Sequence, residues 1–270
     1  MACAPSSLMT QWVGENCIMP IEYARRLTGR ERTTGSNWHL GCALAFIAGA
    51  TNAGAFLAVK GYTSHMTGIV SSMADNLVLG NIRLVAGALG AVASFMAGAA
   101  ACAVLVNYAR RRQLKSEFAL PLLLEAALLL VFGIIGAQLA TTQGFFVSVT
   151  VMLLCFAMGL QNAVITKISR AEIRTTHVTG LVTDIGIELG KLVYWNRTQG
   201  DSFPRVAADR KRMLLLSLLV SSFLFGGVLG ALGFQHSGYA TTIPLAAILV
   251  LVASVPAADD IRDRFARSDA

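Results

Sequence analysis

The stretch "YTSHMTG", Tyr62–Gly68, follows the first long apolar segment of the chain, and "RTTHVTG", Arg174–Gly180, repeats it more than a hundred residues later. Aligned from Thr63 on Thr175, the two differ only by Ser64 for Thr176 and Met66 for Val178. The similarity reaches further back. At one constant offset Phe46 matches Phe156, Gly49 matches Gly159, Asn52 matches Asn162 and Ala53 matches Ala163. Two extra residues follow in the second copy, after which His65, Thr67 and Gly68 meet His177, Thr179 and Gly180. Beyond the motif "IVSSM" parallels "LVTDI". Matches in ordered succession point to an internal duplication, and the fold is to be read from it.

The composition fixes the class. The chain is 55% hydrophobic and 14% charged, where a soluble domain carries about 25% charged residues. Crossing a hydrocarbon core of ~30 Å takes about 20 helical residues. Six segments meet that length, at about 39–60, 84–107, 118–140, 144–166, 213–235 and 238–256. They are rich in Ala, Gly, Leu and Val, with the small residues that close helix packing in lipid favours. The expectation is an all-α, polytopic transmembrane helix bundle in one domain, 37–256, preceded by a basic lead-in and followed by a tail over 257–270.

The net charge of +7 is concentrated. Most of the Lys and Arg fall in the clusters Arg25–Arg32, Arg110–Lys115, Lys167–Arg174, Arg197–Arg212 and Arg262–Arg267. Cytoplasmic loops collect Lys and Arg. Placing all of these clusters inside fits six crossings and puts both termini in the cytoplasm. The charge is a topology signal, and no nucleic-acid partner is expected; the lipid bilayer is the partner the composition requires.

Each copy of the repeat ends in a segment that is short or polar for a span. Residues 67–81 would make a helix of about 22 Å. Residues 179–195 carry Asp184, Glu188 and Lys191. Counting both as spans would put Arg110–Arg112 outside. Reading both as re-entrant or interfacial keeps every basic cluster inside. The halves, about 39–140 and 144–256, then run in opposite senses, as an inverted 3+3 repeat, an organisation of many transporters and channels.

The repeated residues suggest chemistry at the helix starts. Thr67 and Thr179 suit N-caps, and Gly68 and Gly180 admit a close backbone or ligand. Two helix N-termini meeting at membrane depth would favour an anion. His65 and His177 either hold a structural hydrogen bond or act in proton or solute handling. Asp75 and Asp184, each within two turns of its Thr-Gly start, lie on polar faces of the short helices, where an ionisable residue faces a cavity or a partner; Glu125 in the third span is a similar candidate. Glu188 and Lys191 have the spacing of an ion pair. Asn52 and Asn162 serve either as interhelical glue or as solute contacts.

Five cysteines, at positions 3, 17, 42, 102 and 155, show no CxxC and no metal-ligand spacing, so neither a disulfide framework nor a metal site is expected. No P-loop, nucleophile elbow or zinc-protease motif occurs; neither a cofactor nor an enzyme activity is expected. The opening residues lack a secretory apolar core. Met19 opens a compact basic lead-in, and the reading takes it as the native start, with residues 1–18 an upstream extension.

"LAFIAGATNAGAF", "YTSHMTG" and "ADNLVLGN", with "CFAMGLQNAVI" and "IRTTHVTG" later, resemble the YoaK-like family of bacterial integral membrane proteins over roughly residues 19–256. The resemblance implies a multi-pass protein of the bacterial inner membrane and implies no substrate. From the residues themselves the leading expectation is a transporter or channel for a small solute, which the helix starts suggest is anionic. A non-transporting sensor or assembly partner is the alternative, with an enzyme acting on a lipid-like substrate behind it.

Overall fold

The computed structural model describes residues 34–114, 116–139, 145–168, 178–194 and 206–268. Their regular structure is helical. The order is α1 (Thr34–Val59), α2 (Met66–Val78), α3 (Ile82–Arg111), α4 (Ala119–Leu139), α5 (Phe145–Ile168), α6 (Val178–Val193), α7 (Arg210–Ser237), a 3₁₀ turn (Gly238–Thr241) and α8 (Thr242–Ser268). Each of the six apolar segments expected from sequence lies on a long helix, and both questioned segments form short ones of 13 and 16 residues. Among the described residues, five stretches are long and apolar enough to cross a membrane; the last, Arg210–Ser254, spans 45 residues and holds α7 and the first half of α8. Gly238, at φ 58°, turns the chain between them. This is the organisation of a multi-pass integral membrane protein. The proposed start at Met19, and the extension before it, lie outside the described residues.

Two buried clusters set the helix directions. The larger gathers Leu40, Leu44 and Ile47 of α1, Leu122 of α4 and Leu215 and Leu219 of α7, all from early turns. Cys102 and Val106 of α3, and Leu160 to Ile168 of α5, join it from later turns. The smaller holds Ala55, Phe132, Leu154 and Phe234, with Tyr239 edge-on to Phe132 at 5.6 Å. So α1, α4 and α7 run from the larger cluster towards the smaller, and α5 and α8 run back. The basic residues Arg110–Arg112, Lys167 and Arg210–Arg212 share the larger cluster's end.

The helices exchange partners across the repeat. The most extensive contacts are α1 with α7 and α3 with α5, followed by α4 with α8. Each short helix packs chiefly on the long helix that follows it, α2 on α3 and α6 on α7. Four copies of Phe-x-x-Gly make the two main crossings. A Cβ on Gly49 would fall on the carbonyl oxygen of Phe223, and one on Gly226 on that of Phe46. In the other pair, a Cβ on Gly98 would strike the carbonyl of Phe156, and one on Gly159 that of Phe95. Backbones this close exclude any side chain at the four positions, the small-residue contact that lipid-embedded helices use in place of a hydrophobic driving force. Only half of this device, Phe46–Gly49 with Phe156–Gly159, falls in the sequence repeat described above.

Candidate functional site

The chain between α1 and α2 retraces α1. After Lys60, at φ 55°, Tyr62 stacks on Phe56 at 5.2 Å. Ser64 then reaches Asn52, whose Nδ2 donates to Ser64 Oγ at 2.6 Å. Asn52 lies seven residues before the end of α1, so the chain has moved back about 10 Å along that helix. There α2 begins, at Met66. The first copy of the motif therefore starts its short helix well below the end of α1, inside the length of the bundle.

The N-cap differs from the sequence expectation. His65, not Thr67, occupies it, and its carbonyl accepts the first helical bond from Ile69 N at 3.1 Å. No side-chain cap bond forms. Thr67 is the second helical residue and exposed, so its hydroxyl sits two residues past the N-cap position from which it could take an orphan N–H of the start. The His65 ring folds over the first turn, where a Cβ on Gly68 would collide with it. That contact gives the His-x-Thr-Gly spacing a physical reason: a ring at one position requires a glycine three residues on. In the second copy His177 lies outside the described residues, while Thr179 is again the second helical residue and, like Gly180, exposed.

Unsatisfied polar atoms collect around the tether. Among the described residues, Thr51 Oγ1, Asn52 Oδ1 and Thr63 Oγ1 are buried without a hydrogen-bond partner. An orphaned buried polar group costs about 1–3 kcal/mol, and three on or beside the two ends of one hydrogen bond mark a place where something polar belongs. The sequence assigned no role to Thr51, Thr63 or Ser64; the last two stood out only as positions of the repeat. Asn162 is turned differently. Its Nδ2 donates to Met158 O of its own helix at 2.9 Å, and its neighbour Gln161 crosses to Leu44 O at 2.9 Å, bonding α5 to α1. At this helix crossing Gln161 supplies the interhelical bond.

The two aspartates occupy different settings. Asp75 is exposed on α2. Asp184, partly exposed, pairs with Arg212 of α7 at 3.0 Å. Beside it Glu188, only 2% exposed, bonds Lys191 Nζ at 2.7 Å and accepts from Asp209 N at 2.8 Å. Asp209 is the N-cap of α7, its Oδ1 accepting from Lys211 N and Arg212 N. The Lys191 hydrogen bond first, then the Asp209 N–H, hold the Glu188 carboxyl below the usual carboxylate range. The polar edge of α6 thus faces protein while Val182, Ile187, Leu189 and Leu192 point outward. In lipid that is the favoured arrangement, since apolar side chains cost nothing there and charges need partners.

The first copy repeats this link in uncharged form. Asn76 sits where Glu188 sits, and Asn81, the N-cap of α3, stands for Asp209. Asn81 Nδ2 donates to Asn76 Oδ1 at 3.1 Å, and Asn81 N to Asn76 O at 2.9 Å. Both short helices are fastened to the start of the next long helix at equivalent positions, and α2 and α6 are anchored separately. Glu125 lies apart from both anchors, fully buried on α4. No group of three or more His, Cys, Asp or Glu suited to a metal occurs among the described residues.

The family model described as "Protein of unknown function (DUF1275)" matches residues 40–255. No curated protein and no solved structure matches the chain.

Proposed function

The chain belongs to the DUF1275 family, and we propose that it is a transporter or channel for a small, anionic solute in the bacterial inner membrane. Within that family it is of the YoaK-like type. It crosses six times, with both termini cytoplasmic, as two inverted halves of three spans and one re-entrant helix each. The solute passes near the membrane midplane between the helix starts, over His65, Thr67 and Gly68 from one side and His177, Thr179 and Gly180 from the other. Asn52, Asn162, Asp75 and Asp184 flank that path.

The observation that carries the reading is the Asn52–Ser64 tether. It draws a helix start about 10 Å back along α1 and leaves buried polar atoms around it without partners. Irregular backbone at membrane depth is tolerated where it is buried in protein or lines a cavity. The exchanged pairs α1–α7 and α3–α5 supply a mechanism: each pair, locked backbone to backbone at its glycines, moves as a unit, and rocking one pair against the other exposes the path to alternate sides.

Reconstituted protein tested against a panel of small organic and inorganic anions, with flux followed across the vesicle membrane, decides the matter. Flux lost in Asn52→Leu and His65→Ala supports it. Vesicles holding folded protein that pass none of the panel, together with a stable complex with a second membrane protein, would favour the assembly-partner alternative.

A further inference from the structure

Glu125 stands on the buried face of α4 with Leu122, Ala126 and Leu129. Its exposure is 0%, and neither carboxylate oxygen has a hydrogen-bond partner among the described residues. α4 packs against α8, α5, the 3₁₀ turn and, to a smaller extent, α3. The Cys102 thiol of α3 is within electrostatic range of both Glu125 and Lys167 of α5. Lys167 is half-buried in the last turn of its helix. The 3₁₀ turn brings Tyr239 against Gly136, two turns or more further along α4. The described side chains of α8 over residues 242–254 include no ionisable group.

A carboxylate left charged in such a place is far costlier than its packing can offset, and a buried group of this kind neutralises instead. No metal-like cluster of acidic, His or Cys residues surrounds it among the described residues. Glu125 lies six residues, about 9 Å, from the start of α4, at the end where the basic residues gather. Ser116, Phe118 and Ala119, between Glu125 and that end, are buried as well, so exchange with water runs through the protein to the end where Arg110–Arg112, Lys167 and Arg210–Arg212 gather.

We propose that Glu125 is a proton-binding site in the bundle core, exchanging with the basic, cytoplasmic end. The binding site stands on its own; its use as the coupling site of a transport cycle rests on the transport reading above.

The test is modification of the purified full chain by dicyclohexylcarbodiimide, an apolar reagent that adds to a protonated carboxyl and leaves a stable N-acylurea, located by peptide mass spectrometry. Glu125 is expected to be modified, with the yield falling about tenfold per pH unit beyond its midpoint, as a single titrating site does. Added Na⁺ at fixed pH leaves the yield unchanged, and Glu125→Gln is not modified there. If that variant does not fold, the pH profile of the native chain and of Glu125→Asp carries the test. Absence of Glu125 modification at every pH, or suppression by Na⁺, overturns the proposal. Modification without solute flux upholds the proton site and counts against transport; flux without modification does the reverse.

Discussion

Asn52 donates to Ser64 across 2.6 Å, joining a point two turns before the end of one helix to the residue that precedes the N-cap of the next. Twelve residues separate them, and the bond fixes how deep the second helix begins. Replacing Asn52 by Leu removes the donor and leaves the Ser64 hydroxyl unsatisfied. A loss of about 1 kcal/mol is expected, which is a factor of about five in local opening. Amide exchange measured over residues 60–68 should quicken by that factor while the α4–α8 contact keeps its protection. Unchanged exchange at 60–68 would mean that the tether does not set the depth of α2.

The glycine crossings predict a sharp positional contrast. Gly49→Ala or Gly226→Ala puts a methyl group onto a carbonyl of the facing helix, and separating the backbones should cost about 1–3 kcal/mol. Gly87, on α3, has nothing within 4 Å of its added Cβ. Gly87→Ala should therefore be neutral or stabilising by up to about 1 kcal/mol through helix propensity. Thermal unfolding in detergent, compared among the three variants, checks the order. Equal midpoints would remove the crossings from the account of stability.

Glu188 ties α6 to both Lys191 and the first turn of α7. Its carboxyl is held below the usual range, so the folded pKa is lower than the unfolded one. A depressed carboxylate contributes stability above its unfolded pKa and loses it as pH falls through the folded value. Docking of α6 should thus persist through mild acid and loosen only below the ordinary carboxylate range of about 4.3. Glu188→Gln should loosen it already at neutral pH and flatten the acid response. Limited proteolysis across residues 178–209 as a function of pH reads both effects.

The sequence made the elements legible, and the repeat showed which of them correspond. It predicted the six long helices and two short ones, because apolar length and interrupting charge are one-dimensional properties. The Glu188–Lys191 pair was equally plain, since a spacing of three on a helix is a contact. Partner exchange was not legible: Phe95–Gly98 and Phe223–Gly226 are ordinary apolar tetrads until α5 and α1 lie against them. The N-cap at His65 was missed because Thr is the better cap by side-chain chemistry, whereas here the backbone's descent from Phe56 to Asn52 decides where the helix starts. The outward apolar face of α6 inverts the soluble rule, as the sequence had implied by giving its charges a cavity or a partner to face; that the partner is the start of α7 was not legible.

The direction of α5 relative to α1 carries the topology. Early turns of α1, at Leu40 and Leu44, share a cluster with late turns of α5, at Val164 and Ile168, while Ala55 meets Leu154 at the other end. The two helices are antiparallel. Were α2 a full crossing between them, α3, α4 and α5 would each reverse and α5 would run parallel to α1. In a cysteine-free background, Asn81→Cys should therefore react with an impermeant thiol reagent from outside intact cells, and Arg112→Cys only after permeabilisation. Eight crossings would give the opposite pattern at both positions, because each lies after α2 and before α6. With α5 antiparallel to α1, labelling of Arg112→Cys from outside would reverse the bundle, put both termini outside and overturn the cytoplasmic placement of the basic end on which the topology rests.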